Sequence, residues 1–84
     1  MSASLILDKL GAMKRDPRGG WTIVDVTSLC QGLGIEIVLP RLEASHCVLM
    51  HDKVDGLLTL PASRPIKPLY IKLLVQLAES VLDR

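Results

Sequence analysis

Between Ile35 and Pro61 the apolar residues change from helical spacing to alternation, and this change restricts the fold more than any other feature. Three segments carry it: IEIVLP at 35 to 40, SHCVLMH at 45 to 51 and GLLTLP at 56 to 61. Each is short, rich in branched aliphatics and bounded by Pro, Gly, Asp or Lys, which predicts three antiparallel strands. Asp55-Gly56 supplies turn chemistry between the second and third, while PRLEA links the first two more loosely. Pro40 and Pro61 stand where strands stop.

Helical spacing brackets this region on both sides. Residues 4 to 15 place Ile6, Leu10 and Met13 on one helix face, with Gly11 weakening the helix and Asp16-Pro17 and Gly19-Gly20 ending it. A second helix follows Thr22, whose spacing to Asp25 approaches a capping box. Its apolar positions are Ile23, Val26, Cys30 and Leu33, and Gly32 and Gly34 read as helix-end glycines. Trp21, just before the cap, is expected to pack into the core, as a staple against Val26. Pro68 suits a first helical turn, and from Leu69 to Leu82 the chain is apolar except at Lys72, Gln76, Glu79 and Ser80, with Asp83 following. Such a helix buries more than one side, so it is expected to meet a further helix or a second copy of the chain as well as the sheet.

The predicted fold is α+β in the order α-α-β-β-β-α, with helices packed on one face of a three-stranded antiparallel sheet. The other face is left open, as a place for a ligand or partner. Eighty-four residues make one domain, and 49% hydrophobic content with one Trp, one Tyr and no Phe requires an aliphatic core. Ten Lys and Arg against nine Asp and Glu give a formal charge of +1, which excludes a strongly basic nucleic-acid binder. Any such binding rests on local clusters: Lys14, Arg15 and Arg18, or Arg64, Lys67 and Lys72. The first cluster reads more simply as solvated charge beside a helix.

Cys30 and Cys47 form no disulfide framework or zinc pattern and read as core filler in a reducing setting. The opening MSASLILDKLGAMKR has too short an apolar run, interrupted by Asp8, for a signal peptide, and no run reaches spanning length. The expectation is a soluble, cytoplasmic protein with no membrane partner.

His46 and His51 are the only imidazoles. Five positions apart in a strand, they face opposite sides, so no shared metal site and no metal cofactor are expected. Alternation leaves open which side His46 takes. On the open face it would meet substrate, and on the covered face it would be a neutral core group. Cys47, facing away from His46, is a poor nucleophile candidate. No Ser-His-Asp order, phosphate loop or HExxH is present.

RDPRGGW at 15 to 21, ASHCVLMH at 44 to 51, LTLP at 58 to 61 and RPIKPLYI at 64 to 71 together resemble the HicA family of bacterial toxins. The similarity runs from about Lys14 to Val81, and LTLPASRPIKPLYI is its most specific part. It implies a single HicA-like domain over residues 1–84 with a double-stranded-RNA-binding-like fold, residues 1–16 being an N-terminal helical extension. The implied activity is that of a metal-independent ribonuclease, an mRNA interferase that blocks translation and is neutralised by a HicB-like antitoxin. The family's active-site histidine, in Gly-Ser-His, corresponds to His46. His51 matches a second histidine with a structural or RNA-contacting role.

The RNA 2′-hydroxyl is itself a nucleophile, so proton transfer by His46 as general acid or base, with neutralisation of phosphate charge, suffices for cleavage. Ser45, Lys53, Arg64 and Lys67 are the expected RNA contacts. The chain departs from the family pattern around the histidine. Arg41-Leu42-Glu43-Ala44 replaces flexible glycines, and Cys47 and Val48 replace a Tyr and a Lys. These changes define an alternative, a catalytically degenerate HicA-like module that binds RNA or protein. The apolar last helix adds self-association as a homo-oligomer to the expected partners.

Overall fold

A computed structural model of the chain describes residues 3–38, 46–62 and 65–83. Its elements are α1 (Ala3–Arg15), α2 (Ile23–Leu33), β1 (Glu36–Val38), β2 (His46–His51), β3 (Val54–Pro61) and α3 (Pro68–Leu82). The fold is α+β, in the order α-α-β-β-β-α. The strands form one antiparallel sheet ordered β1-β2-β3. The expected strand end at Pro40, strand start at Ser45 and PRLEA connection lie outside the described residues.

In α1 the apolar face is buried as the spacing requires, with Ile6, Leu10 and Met13 in the core. Burying three such side chains contributes about 1.5–3 kcal/mol each, which outweighs the roughly 1 kcal/mol cost of Gly11 in a helix interior. Two ion pairs clamp α1 to its neighbours: Lys9 Nζ lies 3.1 Å from Asp25 Oδ1 on α2, and Lys14 Nζ lies 2.7 Å from Glu79 Oε2 on α3.

The start of α2 is fixed by the Thr22–Asp25 pair. Asp25 Oδ2 accepts from the Thr22 backbone N–H at 2.9 Å and from its hydroxyl at 3.1 Å. The Thr22 N–H beside it, reinforced by Lys9, holds the Asp25 carboxyl below its ordinary range. Gly34 ends α2 in the left-handed region at φ 71°, and the next residue, Ile35, donates its N–H to Cys30 O at 2.9 Å. Gly32 stands in the last turn of α2, a helix-end glycine as expected, and it has a packing role besides. A Cβ built there would overlap Cδ1 and Cγ1 of Ile6 on α1. The two helices approach closely at this point.

Trp21 packs at the edge of the core as expected, and its indole N–H donates to Asp16 O at 2.8 Å. The side chain thus closes the connection between α1 and α2.

The chain reverses between β2 and β3 at Asp52-Lys53, with His51 paired to Val54. This corrects the expected turn at Asp55-Gly56, and β3 starts at Val54 rather than at Gly56. Gly56 instead takes φ 82° within β3, where the register shifts between Leu49 and His51. The Asp-Gly signal marks an irregularity in the strand, because the positive φ that glycine tolerates also accommodates extra residues.

On the helix-covered side of the sheet, Cys47, Leu49 and Leu60 are fully buried. α3 buries Ile71, Leu74, Val75, Ala78 and Val81, packing on β3 and against α1 and α2. The further helix expected to meet α3 is therefore α1. The apolar circumference of α3 is largely accounted for within the chain, with Leu69 and Leu82 exposed near its two ends.

Candidate functional site

Alternation along β2 sends His46, Val48 and Met50 to the side opposite Cys47 and Leu49. Cys47 and Leu49 are buried while His46 is exposed. The face left undecided by the sequence is thus the open one. The neighbouring strands extend it through register: Glu36 pairs with Met50, Val38 with Val48, Thr59 with Val48 and Pro61 with His46. The result is an aliphatic surface with His46 at one end, and its exposed members include Val38 and Leu57.

Glu36 places a carboxylate on this face, but too far from the imidazole to serve it. It stands opposite Met50, and the four-residue step from Met50 back to His46 spans about 13 Å. A proton relay between them needs hydrogen-bond reach.

His51 has a separate role. Its Nδ1 accepts the Lys53 backbone N–H at 3.0 Å, and only 11% of its side chain is exposed. Asp52 Oδ1 lies 3.8 Å from the same nitrogen, but that lone pair already faces the amide and Asp52 is fully exposed. The hydrogen bond, rather than an ion pair, therefore defines the ring, whose Nδ1 is the acceptor. His51 is a structural part of the β2–β3 turn and faces away from His46.

Cys47 is adjacent to His46 in sequence but lies on the covered face, its Sγ 3.4 Å from Leu60 O. Burial pushes its thiol up, and burial together with the nearby Cys47 pushes the Cys30 thiol up to about 12. Neither cysteine is a thiolate nucleophile in this setting. Among the described residues no three His, Cys, Asp or Glu side chains gather as metal ligands.

The expected RNA contacts fall in different places. Lys53 is exposed in the β2–β3 turn, beyond the His51 end of β2, which is roughly 17 Å along the strand from His46. Lys67 is the exposed N-cap residue of α3. Ser45 and Arg64 lie outside the described residues. Lys14, of the first basic cluster, is paired with Glu79, in keeping with its reading as helix-flanking charge.

Arg18 belonged to that same helix-flanking cluster, yet it shares a groove of about 620 Å³ with Lys67. No local sequence signal joins them, because the juxtaposition is made by tertiary contact. Ile66 donates its N–H to Trp21 O at 2.8 Å, drawing the segment before α3 onto the segment before α2.

Among the described residues no helix is long and apolar enough to cross a membrane. Comparison with protein-family models, curated proteins and solved structures gives no match to this chain.

Proposed function

We propose that this chain is a HicA-like ribonuclease, an mRNA interferase acting in the cytoplasm, with His46 as its general acid or base. The observation that carries the proposal is the exposure of His46 at the end of the open sheet face, where a polynucleotide can reach the imidazole. The order α-α-β-β-β-α agrees with what the resemblance implies, and a double-stranded-RNA-binding-like fold is part of the proposal.

The chemistry needs little machinery. Removal of the 2′-hydroxyl proton lets that oxygen attack the adjacent phosphorus. The P–O5′ bond breaks, the leaving oxygen takes up a proton, and the fragments end in a 2′,3′-cyclic phosphate and a 5′-hydroxyl. Imidazole suits either proton transfer at neutral pH. Phosphate charge falls to Lys53 and Lys67, with Ser45 and Arg64 as further contacts. The proposed protein partner is a HicB-like antitoxin.

The test is expression of the native chain and His46→Ala side by side, with RNA examined for cleavage. Native protein is expected to arrest growth and yield cyclic-phosphate ends, while His46→Ala does neither and 2′-O-methyl RNA resists both. Equal cleavage by two folded proteins would remove His46 from the reaction.

One observation favours the alternative, a catalytically degenerate module that binds RNA or protein. The open face presents aliphatics, Val38, Val48, Met50 and Leu57, while the one Trp and one Tyr of the chain, Trp21 and Tyr70, pack against the core. A face with no Trp or Tyr beside the His46 imidazole lacks the extended stacking platform that many RNA binders use. Under this reading neither protein cleaves RNA, yet the native chain still retains RNA or an antitoxin.

A further inference from the structure

We infer that Arg18 and Lys67 form one composite binding site for the phosphate backbone of RNA, a site the sequence divides between two distant segments. This rests on the reading of the protein as an RNA-acting domain and supplies a backbone contact that reading does not contain, Arg18.

The groove has Arg18 and Gly20 on one wall and Pro65, Ile66, Lys67 and Pro68 on the other. Its base is firm. The Ile66 N–H to Trp21 O bond of 2.8 Å ties the walls together, and the Trp21 indole N–H holds Asp16 O at 2.8 Å below them. Ile66 is 2% exposed, so its side chain anchors the second wall in the core. Both cations are exposed, and neither belongs to an ion pair among the described residues, whereas Lys9 and Lys14 are each committed to a carboxylate. At Gly20, with φ 73°, a Cβ would meet nothing within 4 Å, so the mouth is open.

Two unpaired cations on a rigid apolar base match a phosphodiester chain, which offers repeated single charges and needs no base-specific donor. Location supports the same ligand. Pro61, the register partner of His46, is four residues from Pro65, which limits their separation to about 14 Å. A strand of RNA held in the groove is therefore within a few nucleotides of the imidazole.

The experiment measures binding of a labelled 2′-O-methyl RNA of about 16 nucleotides, which spans a typical single-strand site and resists cleavage. Fluorescence anisotropy at a series of KCl concentrations gives the slope of log K against log salt. Arg18→Gln and Lys67→Gln are each expected to reduce its magnitude by about 0.7, and the double variant by about twice that. Lys9→Gln, which removes a cation committed to Asp25 and outside the groove, leaves the slope unchanged. Circular dichroism melts check that the variants fold, which both exposed positions should allow.

An unaltered slope in the folded double variant overturns the groove while leaving the RNA reading intact. Absence of salt-dependent binding by the native chain overturns both. Reduced slopes together with undiminished cleavage of ordinary RNA by His46→Ala would support the groove and reject the proposed catalytic residue.

Discussion

Replacing Gly32 with alanine sets two effects of opposite sign against each other. In an ordinary helix interior, Gly→Ala gains about 1 kcal/mol from propensity. Here the new methyl group enters space held by Ile6, overlapping its Cδ1 and Cγ1 and standing 3.1 Å from its Cγ2. Because the overlap involves most of a branched side chain, no rotation of a flexible end relieves it. Ile6 is 3% exposed, and its helix is held by the Lys9–Asp25 and Lys14–Glu79 pairs, so displacing it disturbs packing along α1. Overpacking of this kind costs about 1–3 kcal/mol. The net expectation is a loss of about 1 kcal/mol, corresponding to a fall of roughly 4–8 °C in Tm for a domain of this size.

A double-mutant cycle with Ile6→Ala separates the terms. Alone, Ile6→Ala should cost about 2–5 kcal/mol through lost burial and the cavity left behind. With Ile6 cut back, the methyl group added by Gly32→Ala fills part of that cavity and the propensity gain returns, so the same substitution becomes stabilising. The coupling between the sites should reach about 1 kcal/mol or more, read from urea midpoints at unchanged m. Gly32→Ala more stable than the native chain, or strict additivity with Ile6→Ala, would refute the close approach of α1 and α2.

Two further outcomes follow from the caps and turns. Asp25→Asn should cost about 1 kcal/mol at pH 7 by weakening the start of α2 and ending the pair with Lys9. The native Asp25 carboxyl is lowered, so its contribution is complete above the unfolded value near 4 and fades as pH falls through the folded one. Denaturation curves of the two proteins should therefore converge in acid, and a constant gap down to about pH 2 would count against the carboxylate. His51→Ala should lose about 1 kcal/mol with the Lys53 N–H bond while leaving the proposed RNA cleavage intact. Impaired cleavage at full stability would place His51 in the reaction instead.

Period and caps made most of this architecture legible in the sequence. Thr22, Asp25 and Gly34 mark α2 through local chemistry, and alternation from Ile35 onward marks the sheet, because each signal is set by residues within a few positions. Asp55-Gly56 misled for a related reason. Positive φ at glycine serves a turn and an irregular strand equally, and the choice fell to Asp52-Lys53, where the His51 ring satisfies the Lys53 amide. Gly32 was legible as a helix-end glycine but not as a close approach, because the crowding comes from Ile6 on another helix.

The same distinction governs the candidate site. Alternation separated His46 from His51, but it could not say which face the helices cover, since both sets of β2 residues are largely apolar. Burial of Cys47 and Leu49 decides that question, and it depends on where α2 and α3 pack. Arg18 and Lys67 illustrate the point further. As sequence they are two minor clusters in a nearly neutral chain, and tertiary contact, including the Ile66–Trp21 hydrogen bond and the burial of Ile66, makes them neighbours. If the proposed groove holds phosphate, a net charge of +1 is a poor guide to polyanion binding in a domain this small. Affinity depends on how many unpaired cations the fold brings to one phosphate path, and ion pairs such as Lys9–Asp25 and Lys14–Glu79 remove others from that count.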